Sequence, residues 1–194
     1  MPEAVNVLVA TTGPEDTRDL AATLSTVLSD GDLLVLTGDL GAGKTCFTQG
    51  LARGLGIEDR ITSPTFTLAN RYRGRLVLNH LDVYRLNSVA ETLDLGLTEL
   101  LEDGVTVIEW GDRIDEVLPL HHLTVRLRYP DLEPEADFDG DQDADESQFD
   151  RRLIEFVSPD PGSWRGHDLG GLLARWVVTK DAQTVIGDEQ AVVE

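Results

Sequence analysis

The chain has 194 residues and a formal charge of −20, with 16 basic against 36 acidic residues and one cysteine. That length suits one domain, which buries about 70% of its unfolded surface without covalent staples. The lone Cys46 excludes a disulfide framework and a thiolate zinc cluster, and the acidity argues against a general nucleic-acid-binding surface, which needs basic patches.

The opening Met1-Pro-Glu-Ala-Val-Asn6 has no basic region followed by an apolar core, so export is not expected. No stretch approaches the length of a membrane span, and a cytoplasmic protein with no membrane partner follows as the expectation. Val5–Ala10 reads as a first strand. Residues 16–28 read as a helix turning Leu20, Leu24, Val27 and Leu28 inward. Residues 32–37, Asp-Leu-Leu-Val-Leu-Thr, are a short apolar run of the kind found in buried parallel strands.

Residues 38–45 follow at once: Gly38-Asp39-Leu40-Gly41-Ala42-Gly43-Lys44-Thr45, a full G-x-x-x-x-G-K-[ST] phosphate-binding loop. Its glycines permit backbone angles that let successive amides turn around a phosphate. Lys44 offers a mobile charge to β- and γ-phosphates, and the Thr45 hydroxyl suits Mg²⁺. The helix beyond, with Phe47, Leu51 and Leu55 on one side, aims its positive end at the same anion before Gly54 and Gly56 stop it. Lys44 and Lys180 are the chain's only lysines, so a lysine in the loop fills a role that arginine fills poorly.

Residues 65–72 and 76–81 read as two extended segments joined at Arg73-Gly74, a hairpin. Ser63-Pro64-Thr65-Phe66 precedes them. It is an ordinary turn on composition, or a switch-like loop carrying Thr65 toward a γ-phosphate. His80 and Asp82 share one face of the second segment. Asp82 ends it where an acid reaches water or Mg²⁺, whereas His80 reads more simply as a satisfied core histidine. Arg85 has phosphate or Asp82 as candidate partners.

Residues 89–102 read as a helical region interrupted near Gly96. Residues 105–109 form a short apolar strand ending in Glu109, where a second Mg²⁺ ligand sits in nucleoside triphosphatases, or where an acid simply caps a strand. Leu123 to Tyr129 alternates like an edge or half-exposed strand. Residues 131–150 carry acidic residues and no basic ones, and read as a solvated insertion between two strands. Asp139, Asp141 and Asp143 alternate as calcium ligands do, but Ala144 stands where the turn needs glycine, so no calcium site is expected. Residues 153–157 resume the sheet, 169–178 form a last helix, and 179–194 a weakly ordered tail. One α/β domain over 1–178, with a mixed sheet covered by helices, is the architecture expected.

Gly-Asp-Leu-Gly-Ala-Gly-Lys-Thr, Ser-Pro-Thr-Phe, His-Leu-Asp-Val-Tyr-Arg-Leu and Ile-Glu-Trp, in this order, closely resemble the bacterial TsaE (YjeE) family over residues 14–129, and again at 151–176. Leu95-Gly-Leu-Thr-Glu99 is similar to the family's Gly-Leu-x-Glu segment. The resemblance implies a phosphate-loop NTPase-like three-layer fold with a mixed, mainly parallel sheet. It also implies an ATPase subunit of the machinery that installs threonylcarbamoyl on the adenosine beside the tRNA anticodon. The partners implied are TsaD and TsaB, with tRNA met only through the complex. The loop residues Asp39 to Cys46 would bind ATP, with Trp110 beside them. Thr45 and Glu109 would hold Mg²⁺, and Lys44, Asp82, Glu109 and Thr65 would carry the chemistry. Residues 14–17 would approach adenine. Cys46 stands where the family usually has a second threonine. A small-molecule kinase would need an arginine-rich lid, and a GTPase an Asn-Lys-x-Asp; neither is evident.

Overall fold

The computed structural model describes residues 6–64, 66–86, 91, 96, 100–130, 150–159, 164 and 168–178. Seven strands form one sheet: β1 (Asn6–Thr11), β2 (Leu33–Thr37), β3 (Ala69–Arg73), β4 (Val77–Asp82), β5 (Val105–Glu109), β6 (Leu123–Arg128) and β7 (Arg152–Val157). Their spatial order is β1-β7-β6-β2-β5-β4-β3. The helices are α1 (Pro14–Ser25), α2 (Lys44–Gly54) and a short α3 (Leu169–Leu172), with a 3-10 helix at Gly111–Val117.

The mixed α/β sheet flanked by helices is as the sequence led us to expect. Its parallel pairings, β4–β5, β5–β2 and β2–β6, are confined to the centre, and antiparallel pairings flank them at both edges. Strand composition explains the division. The apolar runs of β2 and β5 suit a strand covered on both faces, and β5 is buried at every residue. β6 alternates buried with open positions as expected, yet it lies between β7 and β2 rather than at an edge.

Parity along each strand assigns the two faces. Leu34, Leu36, Leu78, Val105 and Val107 join the core under α1 and α2. Leu33, Val35, Leu81 and Ile108 join a smaller core beneath the 3-10 helix, with Ile114. His80 and Asp82 continue the parity of Leu78, and Glu109 that of Val107, so all three point to the α1–α2 side. α2 lies tight against α1 because Gly50 and Gly54 leave room: a methyl group there would come within 2.5 Å of Arg18 O and 2.1 Å of Ser25 Oγ.

Three expectations are corrected. The extended segment begins at Ala69, not at 65, because Thr67 N and Leu68 N both turn back to Pro64 O. The last helix stops at Leu172 rather than 178. Consecutive Gly170 and Gly171 give it little intrinsic stability, and beyond it Trp176 O accepts from Ala10 N while Val178 N donates to Leu8 O. Tertiary pairing along the β1 edge thus replaces further helical turns. The first helix starts at Pro14, whose missing N–H suits a first helical position, with Glu15 and Asp16 facing the positive end. The helical region expected over 89–102 lies mostly outside the described residues, although Gly96 has a left-handed φ of 63°. The acidic segment 131–149 and the tail 179–194 also lie outside them. Among the described residues, no helix is long and apolar enough to cross a membrane.

Candidate functional site

β2 runs directly into the glycine loop, where Gly38, Gly41 and Gly43 take φ values of 130°, 81° and 105°. α2 then begins at Lys44 with no side chain capping its N-terminus, which leaves its first amides aimed at the space above the loop. That space is a cavity of about 430 Å³ walled by Lys44, Thr45, Asp82, Tyr84, Glu109 and Trp110, together with Leu40, Gly41, Gly43, Cys46 and Ser63.

Lys44 is almost fully buried. Its Nζ donates to Gly38 O at 2.6 Å and Asp39 O at 2.9 Å, and sits 3.4 Å from the centre of the Trp110 ring. Burial pushes the lysine's pKa down, and the carboxylates of Glu109, Asp112, Asp82 and Asp39 pull it back up without offsetting that loss. Trp110 reaches this position through a left-handed backbone (φ 64°) at the turn from β5 into the 3-10 helix. Its ring also packs on Tyr84, 4.9 Å away, and Arg113 covers Tyr84 from outside.

Each of the two acids has its orientation fixed. Asp82 Oδ2 accepts from Ser63 Oγ at 2.6 Å, and Asp82 Oδ1 accepts from Tyr84 N at 3.0 Å. Glu109 lies opposite Asp82 in the parallel β4–β5 register. Its Oε2 accepts from Thr45 Oγ1 at 3.0 Å, and its Oε1 meets His80 Nε2 at 2.8 Å. Among the described residues no group of three or more His, Cys, Asp or Glu forms a metal cage. One hydroxyl beside buried carboxylates is instead the sparse, hard-oxygen set that suits a cation completed by phosphate and water, as Mg²⁺ is.

A family model described as "Threonylcarbamoyl adenosine biosynthesis protein TsaE" matches residues 11–135, which hold the loop, both acids and Trp110. The chain belongs to the TsaE family. The tRNA threonylcarbamoyladenosine biosynthesis protein TsaE of Treponema pallidum is 50% identical over 115 residues, covering 59% of this chain and 85% of that one. Its Bacillus subtilis counterpart is 45% identical over 120 residues, covering 61% and 75%. A Nostoc relative extends further, 38% identical over 150 residues, covering 74% and 87%. In three dimensions the crystal structure of Bacillus subtilis YdiB aligns with a TM-score of 0.64 at 33% identity, covering 89% of this chain and 97% of that one.

Within the TsaE-family frame, Lys44, Thr45, Asp82, Glu109 and Trp110 converge on one cavity, with Leu40, Gly41, Gly43 and Cys46 on its wall. Asp39 and Ala42 serve the loop from behind, their carbonyls accepting from Lys44 and from Arg152 Nε respectively. Thr65 lies outside the described residues. Cys46 Sγ donates to Pro14 O, and burial pushes its thiol pKa up, so it stays protonated. Residues 14–17 are not on the cavity wall. Arg85 stacks over Phe66.

Sequence reasoning missed the supports around this cavity. Composition alone favours a turn at Ser63 and a core histidine at His80, yet each bonds one of the two acids. Tyr129 Oη donates to Gly41 O, and the Arg152 guanidinium, 4.1 Å from the Tyr129 ring, donates to Ala42 O and Gly41 O. The ends of β6 and β7 thereby hold the loop from its far side. The antiparallel β6–β7 pairing, which no local pattern announces, brings them there.

Proposed function

We propose that this TsaE-family chain is a Mg²⁺-dependent ATPase that works with TsaD and TsaB in threonylcarbamoylation of the adenosine beside the tRNA anticodon. Family membership supports the pathway, tRNA threonylcarbamoyladenosine biosynthesis. The observation carrying the chemistry is the meeting of Lys44, Thr45, Glu109 and Asp82 around one cavity above the glycine loop.

In this reading the loop amides and the N-terminus of α2 hold the phosphates. Lys44 leaves the carbonyls of Gly38 and Asp39 and the Trp110 ring to meet β- and γ-phosphate oxygens. Thr45 and Glu109 would hold Mg²⁺, which would supply charge neutralisation for the phosphates. Asp82, its plane fixed by Ser63 and the Tyr84 amide, orients the attacking water. Trp110 and Tyr84 shield that side of the cavity from solvent.

Among the described residues walling the cavity, Lys44 is the one cation, against Asp82 and Glu109. A site so constituted stabilises the charge of phosphoryl transfer poorly, and phosphate-loop proteins without an added arginine turn over at about 10⁻⁴ s⁻¹. A partner arginine supplies about 10³- to 10⁵-fold. The chain alone is therefore expected to be a weak ATPase that docking completes. Phosphate release from Mg-ATP, alone and with the purified TsaD–TsaB pair, tests this with Lys44→Ala as the blank. Stimulation that disappears in the variant is the expected result, and equal turnover with and without the pair refutes the reading.

A further inference from the structure

We propose that His80 is a positioning residue, holding Glu109 so that one chosen carboxylate oxygen faces the cation beside Thr45. The inference rests on the Mg²⁺–nucleotide reading above and adds to it a residue that touches neither nucleotide nor metal.

His80 is fully buried in β4 among apolar neighbours of the same face, Leu78 and Val107. Its Nε2 lies 2.8 Å from Glu109 Oε1. Its Nδ1 is buried and has no hydrogen-bond partner among the described residues. With a carboxylate at Nε2, the ring carries its hydrogen there and donates it to Glu109. An orphaned buried nitrogen is a standing cost, and an apolar side chain would remove it. What a histidine adds at this position is the bond to Glu109.

That bond has a geometric consequence. Glu109 is itself 3% exposed, so neither of its oxygens can turn to bulk water for a partner. His80 occupies Oε1 from inside the core, and Oε2 is left toward Thr45 Oγ1 at the cavity wall. Without His80 the carboxylate is free to rotate about its terminal torsion, and Oε1 becomes a buried charged acceptor with nothing to accept. Outer partners that orient a ligand in this way typically change metal affinity about 10- to 100-fold when removed.

The test is ADP binding measured by calorimetry across a Mg²⁺ titration, in the full chain and in three variants. His80→Leu is expected to raise the Mg²⁺ concentration needed for half of the metal-dependent gain in ADP affinity by about 10- to 100-fold. Its ADP affinity without Mg²⁺ should match the parent. His80→Gln, whose amide nitrogen reaches the position of Nε2, should recover most of the Mg²⁺ response. His80→Asn offers the same amide on a shorter arm that falls short of Glu109, and should not. An unchanged Mg²⁺ response in His80→Leu overturns the proposal, as does an equal loss of affinity with and without the metal. Should His80→Leu fail to fold, equal Mg²⁺ responses in His80→Gln and His80→Asn overturn it just as directly. A parent chain whose ADP binding ignored Mg²⁺ would overturn the metal reading itself, and this inference with it.

Discussion

Gly38 stands where β2 becomes the phosphate loop, at φ 130°, and a methyl group there would lie 2.0 Å from Leu127 O. Both the backbone angle and the space forbid a side chain, since the obstructing atom is main chain of the neighbouring β6 and cannot swing aside. Gly56, at φ 72° after α2, meets nothing within 4 Å. The pair separates two costs. Gly56→Ala should lose only the left-handed penalty, about 1–2 kcal/mol. Gly38→Ala adds overpacking and should lose about 2–5 kcal/mol in all, so urea unfolding should find it about 1–3 kcal/mol less stable than Gly56→Ala. The sequence made the loop legible because glycine spacing and Lys44-Thr45 encode its chemistry locally. It did not reveal that β6 presses on the loop from behind, because that contact depends on which strands become neighbours.

Elements were legible where burial and period agree, and less so where distant hydrogen bonds decide. β2 and β5 fall within a residue of where apolar runs place them, since their inner faces leave no alternative to a buried strand. Leu173 and Trp176 continue the helical spacing of Leu169 and Leu172, yet the chain leaves the helix after Leu172 and uses them otherwise. Leu173 fills the core, and Trp176 Nε1 donates to Asp16 Oδ1 at 2.8 Å. Asp16 also accepts from Thr12 N and Thr12 Oγ1, so one carboxylate ties β1, α1 and the C-terminal segment together. Burial raises the pKa of Asp16, but the bonds from Trp176 and Thr12, with the charge of Arg175, together hold it below the ordinary aspartate value. A folded pKa below the unfolded one means stabilisation that is fully present above the unfolded value and is lost as pH falls through the folded value. Asp16→Ala should therefore destabilise the chain by about 1–3 kcal/mol at neutral pH. The gap between variant and parent should narrow once acid has protonated Asp16 in both states, by the part that its charge contributes. Urea unfolding of both proteins at neutral and at strongly acidic pH measures it, and a gap independent of pH would remove Asp16's charge from the account.

At the scale of the molecule, the excess of 20 negative charges and the nucleotide site have to coexist. The most acidic segment, residues 131–149, falls between β6 and β7 in the chain. β6 and β7 pair antiparallel up to Arg128 and Leu153, so the two ends of residues 131–149 start from neighbouring strands. The segment thus joins two adjacent antiparallel strands. Its flanks, Tyr129 and Arg152, hold the phosphate loop through Gly41 O and Ala42 O, and both flanks lie outside the acidic run. Deleting residues 137–146 shortens the connection without touching either flank. Loop closure depends only on the logarithm of loop length, each doubling costing about 0.6 kcal/mol, so stability should move by no more than that amount. The deletion should also leave ATP affinity nearly unchanged, because the groups expected to meet the phosphates, Lys44 and Thr45 with the loop amides, are all retained. Lys44→Ala, by contrast, should abolish most triphosphate affinity in the same calorimetric assay. If the deletion weakened ATP binding as Lys44→Ala does, the acidic segment would itself belong to the nucleotide site. The hold of Tyr129 and Arg152 on the glycine loop would then depend on the segment between them.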